Sequence, residues 1–258
     1  MGSGLLTVII LVILSTCYTP NGLSLTDFYL YGTEHGDNMM TVDSLPAAPL
    51  LAPIDNLVIL GPAGITATIY QARSNGYLQI QNNADSIFLF LLFASGNFGE
   101  TKVFGRTTND PALIKRAMGQ INEAFPNTFC STSPPTQLII ATWIDYLKYH
   151  SNPGSNFQTV IVTNGHLTFG IFLYVDVHIT AADTGIASLI NGNYVESDPS
   201  IFPFNTTVTN APSMMLNSNI PGTYILSLTD PPPDPPNCLA MCKAKLPEKT
   251  CKAIRNMV

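Results

Sequence analysis

Five cysteines, four histidines and one glycosylation sequon are the residues of this 258-residue chain with the most specific chemistry. Cys17 lies in an apolar leader, which leaves Cys130, Cys238, Cys242 and Cys251. Four thiols leave several pairings open. The expected arrangement is disulfides, with Cys130 joined to one of the three tail cysteines so that the tail is pinned to the body. A zinc site is the rival. Cys238 and Cys242 form a C-x3-C pair without a second ligand pair nearby, and an oxidising compartment favours disulfides. The histidines His35, His150, His166 and His178 stand at no metal-ligand spacing from one another. His166 at a hairpin tip and His150 at a strand end read as solvated turn residues. Asp176, His178 and Asp183 could form a metal or acid–base cluster only if a regular strand brings them to one face. The plainer reading is a sheet edge facing water. No serine stands in a G-x-S-x-G elbow, and Gly61-Pro62-Ala63-Gly64 is a turn rather than a phosphate cradle. No catalytic constellation, metal or cofactor is expected. Asn205-Thr206-Thr207 is the only N-glycosylation sequon with a permitted middle residue, set in a Pro- and Asn-rich flank.

The elements that must position these residues are best defined between Thr107 and Asp176. Asn109 and Asp110 can accept hydrogen bonds from the free N–H groups of a helix start, and Pro111 suits the first helical position. Leu113, Ala117, Ile121 and Ala124 recur at helical steps, and Pro126 stops the pattern. The spacing predicts an amphipathic helix over about 110–125. The period then changes to that of strands. Leu138, Ile140, Thr142, Ile144 and Tyr146 fall on one face, and Ile139, Ala141, Trp143 and Asp145 on the other. Phe157–Thr163 and Leu167–Asp176 flank an Asn164-Gly165 turn, which predicts a hairpin of type I′. Ile65–Ile80 reads as a second hairpin around Ser74-Asn75-Gly76, and Ile87–Ala94 as a strand buried on both faces. Tyr146, Tyr149, Phe157 and Tyr174 cluster at strand ends. Most should be core, with one or two at an edge available to anchor a partner.

These motifs, in this order, resemble the nidogen-type extracellular domain found in nidogens and in tectorin-like and mucin-like proteins. The resemblance rests on Asp110-Pro111, Ala124-Phe125-Pro126, Ala141-Thr142-Trp143, Asn156-Phe157-Gln158, Asn164-Gly165 and Phe169 through Asp176. Asp27 to Asp37 resembles the family's opening "YPYG…HGD" segment, with Leu30 in place of the usual Pro. Asn75-Gly76-Tyr77-Leu78, Ala187 to Gly192 and Asn219 to Leu228 resemble later elements, the last being the closing strand. The chain departs from the pattern at Asn56 to Gly61, which lacks an aromatic cluster. It departs again at Phe93 to Asn97, where no carboxylate replaces the family's acidic strand ending. The resemblance implies one α+β, β-rich domain, mainly antiparallel, with a single helix on a sheet. It also implies a non-enzymatic module for cell–matrix adhesion whose partners are extracellular-matrix or cell-surface proteins. The alternatives are a secreted hydrolase built from separated Asp and His residues, and a disulfide-linked structural glycoprotein.

The ends complete the plan. Residues 1–24 read as a secretory signal peptide. The apolar run Leu5–Leu14 is too short to span a bilayer comfortably, and Gly22-Leu23-Ser24 supplies small residues for cleavage. Its n-region lacks Lys and Arg, and a short membrane anchor is the rival. Residues 25–229 would form the nidogen-like domain, with no membrane insertion of the mature chain and an extracellular, secreted location. Val177–Leu189 is expected to continue the central sheet. Residues 230–236, with five prolines, read as a stiff linker. Residues 237–258 are a short tail holding three cysteines and five Lys or Arg against one Glu. The preceding 236 residues carry six Lys or Arg against sixteen Asp or Glu, a net of −10 that repels phosphate and argues against nucleic acid.

Overall fold

Asp110 starts the helix by the mechanism its side chain allows. Its Oδ1 accepts hydrogen bonds from the N–H groups of Ala112 and Leu113 at 2.7 and 3.2 Å, and Pro111 is the first helical residue. Helix α1 runs Pro111–Ala124 and buries Ala117 and Ile121. The computed structural model describes residues 22–41, 50–60, 65–96, 99–126, 128–129, 133–148 and 153–229. Its strands are β1 Asn38–Thr41, β2 Leu50–Leu60, β3 Ile65–Arg73, β4 Tyr77–Gln81, β5 Ser86–Phe93 and β6 Lys102–Thr108. After α1 follow β7 Gln137–Tyr146, β8 Ser155–Thr163, β9 Thr168–Asp176, β10 Asp183–Ile190, β11 Asn193–Val195 and β12 Thr223–Ser227.

These strands form two six-stranded sheets. The first has the order β1-β6-β7-β8-β9-β12 and the second β11-β10-β5-β4-β3-β2. Every pairing within them is antiparallel. The molecule is therefore α+β and β-rich, as expected. One core lies between the sheets and joins Tyr70, Leu78, Ile80, Leu89 and Leu91 of the second to Trp143, Phe157, Phe172 and Tyr174 of the first. A second core lies on the far side of the first sheet, where Ala117 and Ile121 meet Leu138, Ile140, Val160, Val162 and Ile171. Strand alternation explains the two cores, because odd and even residues of β7 point to opposite faces.

Three tyrosine and tryptophan tips tie the sheets together. Trp143 Nε1 donates to the Arg73 carbonyl at 2.8 Å, Tyr146 Oη to the Leu92 carbonyl at 2.6 Å, and Tyr174 Oη to the Leu91 carbonyl at 3.2 Å. The two leucines form a β-bulge. Phe93 pairs with Asp183 and Phe90 with Gly185, so two residues of β5 oppose one of β10. The N–H groups of both leucines donate to the Gly76 carbonyl. Gly76 is required there: its φ is +87°, and a Cβ would sit 2.2 Å from the Leu92 carbonyl oxygen.

The structure departs from strict sequence periodicity in four places. Tyr146 lies in the inter-sheet core with Trp143 rather than on the Leu138 face. A register shift between Trp143 and Tyr146, with Asp145 at φ +53°, inverts the alternation. The β8–β9 hairpin forms, but Gly165 alone carries positive φ there. Asn164 instead closes the turn with its side chain, whose Oδ1 accepts from the N–H groups of His166 and Leu167. Residues after Asp176 leave the first sheet, since β10 pairs with β5 of the second. A proline ordinarily breaks a strand pattern, yet Pro53 lies in β2, a sheet-edge strand where a missing donor is tolerated.

Candidate functional site

The opening segment is a strap across the covered face of the first sheet. Tyr29 is buried, and Gln158 of β8 holds it from both sides. Its Oε1 accepts from the Tyr29 N–H at 2.7 Å, and its Nε2 donates to the Tyr29 carbonyl at 2.9 Å. The Arg116 guanidinium of α1 lies 4.1 Å from the Tyr29 ring centre and donates to the carbonyls of Asp27 and Phe28. Asp37 is the carboxylate of the His35-Gly36-Asp37 segment. It pairs with Arg106 of β6 at 2.5 Å, both groups being buried. The Gly32 N–H donates to its other oxygen at 2.7 Å, and Arg106 also donates to the Leu30 carbonyl. Burial raises the Asp37 carboxyl, while the Gly32 N–H and the Arg106 guanidinium pull it down. Asp37 is therefore a structural carboxylate. His35 stays near the surface, 3.8 Å from Glu34.

The other titratable candidates do not converge. Asp176 accepts from Asn156 Nδ2 at 3.3 Å, while the His178 backbone N–H donates to Ser155 Oγ and its side chain is exposed. Asp183 opens β10 in the other sheet, and His166 sits exposed at a hairpin tip. Among the described residues no three His, Cys, Asp or Glu side chains are grouped to hold a metal ion. His150 and Tyr149 lie outside the described residues. So do Cys130, Cys238, Cys242, Cys251, the apolar run 5–14 and residues 230–258. No helix of the described residues is long and apolar enough to cross a membrane. Tyr146, Phe157 and Tyr174 are fully buried core residues.

Asn205 is presented by an aromatic platform. Asn205, Thr206 and Thr207 are exposed, with Asn205 at φ +49° in a tight turn. Phe202 and Phe204 precede it, are buried and stack at 5.0 Å; both meet Tyr174 and Tyr224 edge-on. Tyr224 Oη donates to the Ala211 carbonyl at 2.7 Å and fixes the following turn.

The outer face of the second sheet holds a feature that strand periodicity did not reveal. Phe88 and Phe90 point away from the inter-sheet core, and the bulge at Leu91-Leu92 turns Phe93 to the same side. Phe90 and Phe93 stack at 4.8 Å, Tyr77 meets Phe88, Phe90 and Phe93 edge-on, and Tyr194 of β11 meets Phe88. Phe90 is 9% exposed and Tyr194 54%, so the cluster shields its centre and opens at its rim. The expectation of a strand buried on both faces holds for most of β5, but its outer cover is this set of rings. Beside them is a pocket of about 330 Å³ lined by Phe90, Phe93, Tyr194, Asp183, Glu196 and Thr206, among others. Gly185 lets the 196–199 segment close over β10: its φ is +121°, and a Cβ would lie 2.5 Å from the Asp198 carbonyl oxygen. The signal available in the sequence was the density of Phe at 88, 90 and 93; the bulge that aligns them was not legible.

Residues 63–225, more than half of the chain, match the family described as the nidogen-like domain. Alpha-tectorin of Mus musculus is 33% identical over 90 residues, which cover 34% of this chain and 4% of that protein. Alpha-tectorin of Homo sapiens shows the same identity and coverage. The chain thus spans a small part of the length of these relatives. No solved structure matches. With the opening strap, the capped helix and the β7–β9 block in place, and with the match running through both sheets, the chain belongs to the nidogen-like domain family.

Proposed function

We infer that the chain is a secreted, non-enzymatic module that binds extracellular-matrix or cell-surface proteins. The observation that carries this reading is the nidogen-like match over residues 63–225, supported by the similarity to alpha-tectorin. Its chemistry fits an oxidising exterior. Residues 1–24 act as the signal peptide, Cys130 bonds to one of Cys238, Cys242 and Cys251, and Asn205 carries a glycan on its exposed turn. The Pro-rich 230–236 segment separates the domain from the basic tail. A rigid sandwich with a net acidic body offers protein partners a broad surface rather than a reactive centre.

The test is the intact mass of the chain secreted from eukaryotic culture, followed by a binding screen on immobilised matrix proteins. The expected mature start lies near Leu25, with a gain of about 4 Da on full reduction of two disulfides, the second joining the remaining pair of tail cysteines, and a sugar removed from Asn205 by deglycosylation. Retention inside the cell with free thiols would overturn secretion, disulfides and adhesion together. Secretion without capture by any matrix or cell-surface protein would overturn adhesion alone.

A further inference from the structure

The pocket on the outer face of the second sheet combines two chemistries. Phe90, Phe93 and Tyr194 supply aromatic surface, Asp183 and Glu196 supply carboxylates, and its lining contains no Lys, Arg or His. Among the described residues neither carboxylate enters an ion pair. Three of the body's six Lys and Arg residues are engaged elsewhere: Arg106 with Asp37, Arg116 on the Tyr29 strap, and Lys148 with Glu100 and Asp145. An aromatic face attracts a cation through its quadrupole and covers an alkyl stem, while an unneutralised carboxylate completes the charge. An anion is repelled here, and a neutral sugar would leave both carboxylates without a counter-charge. We propose that this pocket takes the basic side chain, arginine or lysine, of a protein partner. The proposal rests on the adhesion reading and names the chemistry of the contact.

The probe is N-acetyl-Gly-Arg-Gly-amide, titrated into the ¹⁵N-labelled full chain and compared with the peptide in which citrulline replaces arginine. Citrulline keeps the shape and removes the charge. The expected result is saturable shifts at the amides of Phe93, Thr184, Tyr194 and Glu196, and citrulline binding weaker by about tenfold. Asp183→Asn with Glu196→Gln weakens the arginine peptide by a similar factor, and Tyr194→Ala does so without changing charge. Equal binding of the two peptides, shifts confined to other surfaces, or no binding would overturn the proposal. So would binding that appears only in Asn205→Gln protein, or only after the five basic residues of 237–258 are changed to Gln. In either case the pocket is filled from within the chain. The double carboxylate variant is also passed through the matrix screen. Undiminished capture there sinks the pocket and leaves adhesion standing. Arginine-peptide binding with no matrix protein captured does the reverse.

Discussion

The outer face of the first sheet lies under helix α1 and the 25–31 strap, whereas the outer face of the second sheet carries its own aromatic rings. The covered face uses aliphatic side chains at alternate positions, Leu138, Ile140, Val160, Val162 and Ile171, which interlock with Ala117 and Ile121. The second face uses Tyr77, Phe88, Phe90, Phe93 and Tyr194, which meet one another edge-on or stacked. Aliphatics need a second layer to leave water, while rings standing side by side can shield one another and still present a rim. One face is spent on stability. The other keeps amphipathic surface of the kind that dominates binding hot spots.

Removing the same ring from the core and from that face should separate the two. Phe157 is fully buried, stacks on Trp143 at 5.0 Å and meets Tyr146 at 5.2 Å. Phe157→Ala is expected to cost about 3–5 kcal/mol. Phe88, only partly buried, should cost about 1 kcal/mol as Phe88→Ala. Urea denaturation of both variants measures the difference, and equal losses would mean that the outer rings pack as tightly as the core.

The strap that covers the first sheet can be broken from beneath. Arg106→Ala leaves Asp37 buried without its cation and should cost about 3–5 kcal/mol. Amide exchange should quicken first at Tyr29 and Gly32, while amides of β4 keep their protection. Uniform loss across both sheets would show that the strap and the sandwich unfold as one unit.

The helix that lies beside the strap depends on its cap. Asp110→Ala removes the acceptor for two free N–H groups and should cost about 1 kcal/mol. Thermal melts monitored by circular dichroism check it, and an unchanged midpoint would place the helix's stability wholly in its packing.

The smallest effect is electrostatic. The Ser200 hydroxyl and then the Ser200 N–H donate to Asp198 and hold its carboxyl below the ordinary 3.8. The unfolded chain therefore takes up this proton at higher pH than the folded one. The stability from this contact is complete above 3.8 and is lost as pH falls through the lower folded value. Ser200→Ala should melt slightly lower near neutral pH and converge with the native chain in acid. A constant gap across the whole pH range would sink the linkage.

Much of the scaffold was legible because its signals are local. Asp110, Pro111 and Pro126 bounded α1 to within a residue or two. The Asn164-Gly165 and Asn75-Gly76 dipeptides placed two hairpins, since each glycine takes the positive φ the turn needs and Asn164 closes its own turn through its side chain. The candidate site was less legible. Asp37 could be noticed in its segment, yet its partner Arg106 lies 69 positions away. Tyr146 was assigned the wrong face because a single bulge inverts every alternation after it.

By itself, then, the sequence determined helix α1 with its amphipathic stripe, the β3–β4 and β8–β9 hairpins, the strand at β5, the acidic body and the family to which the chain belongs. Periodicity, caps and turn residues act over a few positions and can be read without the rest of the chain. Only the tertiary structure decided that β10 crosses to the second sheet, that Tyr146 and Tyr174 bond to the Leu92 and Leu91 carbonyls, and that Phe93 joins Phe88 and Phe90 on one face. Strand partners, bulges and a pocket lined by both Phe90 and Glu196 depend on contacts between distant residues. Such contacts are selected by burial of the whole sandwich rather than by any local preference.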